Sequence, residues 1–458
     1  MPSPGLRRGL VVAAGLLLAG GVAVLIVVLS SSGKHHPHPR RVQVTTAPAP
    51  SPQPKPKPKP RPRPQPSDLA WPFYGYDLAR TRVFPHGGGL DPPLRAGWRF
   101  QDYSLLEFPP VIYHNTLYVQ DYNGSAKAVS TMTGKVIWQR QLGTLGAASP
   151  GLDIRHQLVF FAFLSESPGA RVGGNGRVVA VSMKTGRAVW SHGLPAGSES
   201  SPLVHGLSVF LGDQSGTVYS FRTYDGHLNW AFHASGSVKG GVAFAHDTIY
   251  FGDYGAHVYA VNARDGNEIW SAGAGGSIYS TPAVAYGRVY VGDEGGGVDA
   301  YWANSGARDW RASTGAYVYA SPAVADAPGL GPTVFIGSYD GNFYAYNALS
   351  GGVRWSHAAG GRIDGSATVL GDVVYYSDLG SRTTSGLDIR SGRQVFFLPD
   401  GEFSPLVTDG KAVFLVGKST IYQMIPARRA RSARRAARGP GRRRTRRRTR
   451  GRAHRSSR

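Results

Sequence analysis

The 458-residue chain contains no cysteine. Disulfides, thiolate zinc sites and cysteine nucleophiles are therefore excluded, while the compartment stays open, because a large core needs no covalent staples. Acid is scarce too, with 28 Asp and Glu against 51 Lys and Arg and a formal net charge of +23. Spread evenly, that imbalance would suggest nucleic acid. It is instead confined to the ends. Residues 1–66 carry ten basic residues and no acid, and residues 428–458 carry sixteen arginines and no acid. The stretch between them, 67–427, is slightly acidic at about −3, which does not describe a basic nucleic-acid-binding domain. Catalytic signatures are missing as well. The fourteen histidines are scattered without HExxH spacing, and no nucleophile elbow or phosphate loop stands in a fitting context.

Residues 10–29, LVVAAGLLLAGGVAVLIVVL, are twenty uncharged positions, long enough to span a bilayer and longer than the apolar core of a cleaved signal. Residues 1–33 are read as an uncleaved signal anchor, a single transmembrane helix with all that follows outside the cytoplasm; a cleaved signal ending near 30–33 is the alternative. Residues 34–67 alternate proline with lysine and arginine, which favours an extended spacer of about 3.1 Å per residue. His35, His36 and His38 belong to that solvated spacer rather than to a metal site. The arginine-rich tail, 428–458, has too few hydrophobes to fold. It is either a solvated appendage or a contact for anionic polymers.

The middle of the chain repeats one phrase. AVSTMTGKVIW ends at Trp138, AVSMKTGRAVW at Trp190, SFRTYDGHLNW at Trp230 and AVNARDGNEIW at Trp270. AYWANSGARDW ends at Trp310, AYNALSGGVRW at Trp355 and GLDIRSGRQVF at Phe396. Glycine holds the seventh place in every copy, and the terminal aromatics are 52, 40, 40, 40, 45 and 41 residues apart. Between them lie four short β-rich runs separated by turn residues, strands A to D. Four strands per unit of this length make a propeller blade. The glycine supplies the positive φ of the C–D turn, and the tryptophan wedges against the next blade. Strand-A phrases number eight, starting at Pro109, Ser149, Ser201, Gly241, Thr281, Ser321, Ser366 and Ser404. The last unit has no strand D. An unpartnered D-like strand, RAGWRF with Trp98, precedes the first blade. The expectation is an all-β, eight-bladed propeller of four-stranded antiparallel blades over 68–427, monomeric, with the N-terminal strand closing blade eight so that no edge stays open.

The phrase A-x-[D/N/S]-x-x-[T/S/D]-G-x-x-x-W resembles the tryptophan-docking repeat of the PQQ-type (pyrroloquinoline quinone) β-propellers over about residues 95–425. The resemblance implies the fold strongly and the function weakly. That superfamily includes quinoprotein alcohol and sugar dehydrogenases, and also a non-enzymatic lipoprotein of the outer-membrane β-barrel assembly machine. The vicinal disulfide of the quinoprotein alcohol dehydrogenases is impossible here, and no Glu, Asn and Asp set for their calcium or lanthanide can be assigned. The expectation is therefore no catalysis, no cofactor and no metal, with a PQQ- and calcium-dependent dehydrogenase as the alternative. The chain reads as a membrane-anchored, extracytoplasmic binding or scaffold module for an envelope protein or polysaccharide.

Three features are candidate sites. Asp213, Asp253 and Asp293 recur in the B–C turns, where capping the turn is a simpler role than holding a metal. The insertion 164–176 in blade two offers Glu166 and Arg171 to a partner. Three places before the usual strand-A proline stand Glu107, Ala147, Glu199, Lys239, Tyr279, Tyr319, Asp364 and Glu402. Strand A is innermost, so these side chains should ring one mouth of the axial channel, where the resemblance places the quinoprotein cofactor. The expected result is an acid-lined cup for a cation or a basic or sugar-like group, with the tyrosines as stacking walls; a plain solvated rim is the alternative.

Overall fold

In the computed structural model the described residues are 70–427 except 86, 88, 166–174 and 404. They form eight sheets; in seven of them strands A to D follow one another in sequence order, and in the eighth strand D comes from the N-terminal side. Blade four is typical, with strands Ala243–Ala245, Thr248–Gly252, His257–Asn262 and Glu268–Gly273. Strands B and C are buried on both faces by the neighbouring blades, so their alternate residues are apolar on both sides. Strand D is the outer edge, and within Glu268–Gly273 only Trp270 is buried.

Each docking aromatic follows a β-bulge; in blade four the register slips between the pairs Ala260–Trp270 and Val261–Glu268. The bulge adds local twist, exposes Ile269 and carries Trp270 toward blade five. There its indole N–H donates to the Ala303 carbonyl at 2.9 Å. Trp98, Trp138, Trp190, Trp230, Trp310 and Trp355 make the equivalent bond to the following blade at 2.7 to 3.2 Å. The ring lies flat on the next blade's turn glycine: a Cβ at Gly306 would stand 2.6 Å from the Trp270 ring. Glycine is thus required twice, for its positive φ of 71° and for the approach of the indole. An aromatic side chain buries about 150–250 Å², so at about 25 cal/mol per Å² each seam contributes on the order of 5 kcal/mol before conformational entropy is subtracted. Phe396 packs against Tyr375 instead, with ring centroids 5.7 Å apart. Blade eight takes its strand D from the other end of the chain and has no C–D turn glycine to receive an indole.

That closure is present. Leu94–Gln101 pairs antiparallel with Thr420–Pro426, Arg99 opposite Tyr422, and Trp98 docks onto blade one. One feature departs from the repeat. Val83–Phe84 adds in parallel to the innermost strand of blade seven, making that sheet five-stranded. These two residues end a segment, 71–84, that enters the axial channel ahead of the closing strand. The expected membrane segment, spacer and arginine-rich tail lie outside the described residues; among the described residues no helix is long and apolar enough to cross a membrane.

Candidate functional site

Two layers of hydrogen bonds shape the axis. The Ser or Thr that opens strand A accepts a backbone N–H from the blade before it. Ser149 N–H donates to Ser201 Oγ at 3.0 Å, Gly241 to Thr281 Oγ1 at 2.8 Å, Thr281 to Ser321 Oγ at 2.9 Å and Ser321 to Ser366 Oγ at 2.8 Å. Deeper in the channel, the inward N–H groups of strand A meet the carbonyls of one segment. Ile112 bonds to Trp71, Leu152 to Pro72, Phe244 to Leu78, Val284 to Ala79, Val324 to Thr81 and Val369 to Arg82. Six blades thereby satisfy donors on an inner edge that would otherwise need water. Blade four has Gly241 at this position, where six other blades carry a hydroxyl and blade one has Pro109, and there the buried Arg80 enters. Its Nε donates to Val242 O at 2.8 Å and its second terminal nitrogen to Ser201 O at 2.9 Å. Burial pulls the Arg80 pKa down to about 9, and these carbonyls hold the charge in place. The segment makes the channel blind.

Above it lies a small cavity of about 30 Å³, open at its mouth, whose lining includes Glu107, Glu199, Lys239, Tyr279, Tyr319 and Asp364. Tyr74 of the inserted segment also lines it, its hydroxyl donating to Ser366 Oγ at 2.8 Å. Six of the seven residues expected at the cup therefore share one space. Glu402 does not: it is buried at the seam of blades seven and eight, 3.1 Å from Arg382 Nε and 3.6 Å from Lys418 Nζ. Both cations stand at the same oxygen, Oε1. Ala147 is buried and adds no polar group to the cup.

One half of the cup is internally paired. Tyr279 donates to Glu199 Oε2 at 2.7 Å and Gln214 to Oε1 at 2.5 Å, and Lys239 Nζ stands 4.0 Å from the same carboxylate. The Lys239 ammonium lies over the Tyr254 ring, 4.5 Å from its centroid. Tyr254, Tyr279, Tyr319 and Tyr339 form a chain of edge contacts with centroids 4.9 to 6.4 Å apart. In the other half, Glu107 makes no ion pair among the described residues. Burial, then the charges of Glu199 and Asp364, push its pKa up to about 7. Burial likewise raises Asp364 to about 6, against a hydrogen bond from Tyr339 and the charge of Arg362. Desolvation and nearby carboxylates hold Tyr279 well above its ordinary value.

The turn aspartates cap as expected. Asp213 Oδ1 accepts the Ser215 and Thr217 N–H groups, Asp253 those of His257 and Gly236, and Asp293 that of Gly297. Glu166 and Arg171 lie outside the described residues. The inserted segment and the hydroxyl belt are the parts of the site that sequence reasoning missed. The belt left a signal, the recurrent Ser or Thr at the start of strand A.

The fold defines an eight-bladed, tryptophan-docked propeller of the PQQ-like class. The family model described as outer membrane protein assembly factor BamB matches residues 95–232 and 214–432, and the chain belongs to that family. A curated relative, outer membrane protein assembly factor BamB of Moranella endobia (strain PCIT), is 25% identical over 124 residues. The match covers 27% of this chain and 28% of that protein. Among solved structures, BamB from Moraxella catarrhalis aligns with a TM-score of 0.60 at 16% identity, covering 74% of this chain and 99% of that one. The quinohemoprotein alcohol dehydrogenase from Comamonas testosteroni aligns with a TM-score of 0.62 at 14% identity, covering 79% and 81%. At such identities both structures speak for the fold alone.

Proposed function

We propose that this protein is a non-catalytic binding and scaffold module of the cell envelope, engaging a protein partner as an assembly factor. The observation that carries the reading is the internal commitment of the axis. Glu199 is held by Tyr279 and Gln214, and Tyr74 from the inserted segment lines the same small cavity. Among the described residues no three His, Asp or Glu side chains converge as a metal-binding set, so the donors at the axis fit a quinone with its calcium poorly. What remains is a rigid ring with loops and a shaped polar mouth, a scaffold suited to recognition. Anchoring is assigned to residues 10–29; a thioether-linked lipid would have no attachment atom, since this sequence has no cysteine.

Purification from detergent-solubilised membranes, followed by mass spectrometry, should recover envelope proteins that a control membrane protein does not. Adding PQQ and calcium should give no dye-linked oxidation of alcohols or sugars. Robust turnover would replace this reading with the dehydrogenase one. Protease applied to cells with an opened envelope should release the propeller by cutting within 34–66; protection there would place the domain in the cytoplasm.

A further inference from the structure

We propose that the Glu107, Asp364, Tyr319 and Tyr339 half of the axial cup receives a primary ammonium group, the side chain of a lysine on an extended segment of a partner protein. This rests on the reading of the propeller as a protein-binding module and names the site and the chemistry of its ligand.

The cup already displays this chemistry once. Lys239, from the loop between blades three and four, sets its ammonium near Glu199 and over the faces of Tyr254 and Tyr279, at 4.5 and 5.9 Å. A carboxylate beside tyrosine faces is a cation receptor in which the ring quadrupole adds to the ion pair. Across the same cavity the loop between blades six and seven brings Asp364, and the approach to blade one brings Glu107. Tyr319 and Tyr339 stand beside them, 4.9 Å apart and nearly perpendicular. This second half has the carboxylates and rings of the first, and no internal ammonium. Arg362, exposed, lies over the Tyr339 ring at 5.7 Å, and its charge reaches Asp364.

The shape selects the ligand further. The cavity is small, Tyr74 and Phe108 are among its lining residues, and the segment bonded to six inner strands fills the axis beside it, so a group enters end-on from the open side. A slender alkyl stem suits that entry. Tyr317, half exposed and 5.9 Å from Tyr319 by ring centroids, offers an apolar wall at the rim for the methylenes. A divalent ion would want several converging oxygens, and the described residues supply no such set. Three carboxylates against one lysine inside the cup leave the charge balance in favour of one more cation, and their partial burial strengthens any such pairing.

The experiment is calorimetric titration of the detergent-solubilised full chain with acetyl-Gly-Lys-Gly-amide and with its Nε-acetyl-lysine counterpart. The charged peptide should bind saturably, and the neutral one at least tenfold more weakly. The pair Glu107→Gln with Asp364→Asn should lose at least tenfold in affinity while keeping a cooperative melt. Tyr319→Leu should weaken binding less, and Asp225→Asn on the outer face should leave it unchanged. Equal binding of both peptides, equal binding by wild type and double variant, or saturable binding of calcium or maltose at this site in place of the lysine peptide would overturn the proposal. If the lysine peptide fails while envelope proteins still co-purify equally with wild type and double variant, the scaffold reading stands and this site falls alone.

Discussion

The seams between blades and the axis they enclose are built on opposite plans. At the seams one solution recurs seven times: an indole on a glycine with an N–H to carbonyl bond. At the axis, equivalent positions carry Glu, Ala, Glu, Lys, Tyr, Tyr, Asp and Glu. Repetition suits a task every blade must perform alike, the burial of its flank against the next. Variety suits a surface that faces a single space and needs only one copy of each group. The exception at the seams follows the same logic, because Phe396 faces the one blade that lacks a C–D turn.

The largest effect should come from cutting the clasp. Removing residues 68–100 takes away the docking strand with Trp98 and the segment whose carbonyls satisfy six inner strands. A chain starting at residue 101 should show no cooperative thermal transition; melting like the full protein would mean that the ring closes without its clasp. Next in size is a regular seam. Trp270→Ala should cost about 3–5 kcal/mol in denaturant unfolding. Trp270→Phe, which keeps most of the area and loses the bond to Ala303, should cost less by at least the roughly 1 kcal/mol of a hydrogen bond.

A smaller effect belongs to the axis. Glu107 and Asp364 have folded pKa values above their ordinary ones, about 7 and about 6. Over the interval from their ordinary values up to these, the folded state binds more protons than the unfolded, so stability falls as pH rises. Asp293, Asp340 and Asp388 are shifted down and work oppositely, with stability lost as pH falls through their folded values. Asp299, which burial raises to about 7, adds to the same decline, so the melting temperature should peak at about pH 4 and fall until about pH 7. In the Glu107→Gln, Asp364→Asn variant the decline should flatten; an unchanged slope would show that these carboxyls are not what titrates. The smallest effect tests the seam's sharpness. Ile269, half exposed on the bulge beside Trp270, should tolerate Thr within about 0.5 kcal/mol, although its neighbour is indispensable.

The blade count, the closure by RAGWRF and the docking aromatics were legible because each was repeated or conspicuously missing from a repeat. The cup was legible through the same alignment at Glu107, Glu199, Lys239, Tyr279, Tyr319 and Asp364, where spacing to strand A is regular. Glu402 stands outside that lining, paired with Arg382 and Lys418. The segment 71–84 left no trace in the periodicity, because it occurs once and contributes mainly backbone carbonyls, which have no residue signature. The bulge before each tryptophan was hidden for a similar reason, being a matter of register between strands C and D.

By itself the sequence determined what local chemistry and repetition can encode: strands, turn glycines, the anchoring aromatics, the number of blades and the charge of each region. Only the tertiary structure decided that the channel is blind, that Arg80 stands where blade four lacks a hydroxyl, and that Lys239 fills one half of the cup and not the other. Those outcomes depend on how groups far apart in the chain compete for the same few ångströms at the axis, and a competition of that kind is settled by three-dimensional distance, not by position in the repeat.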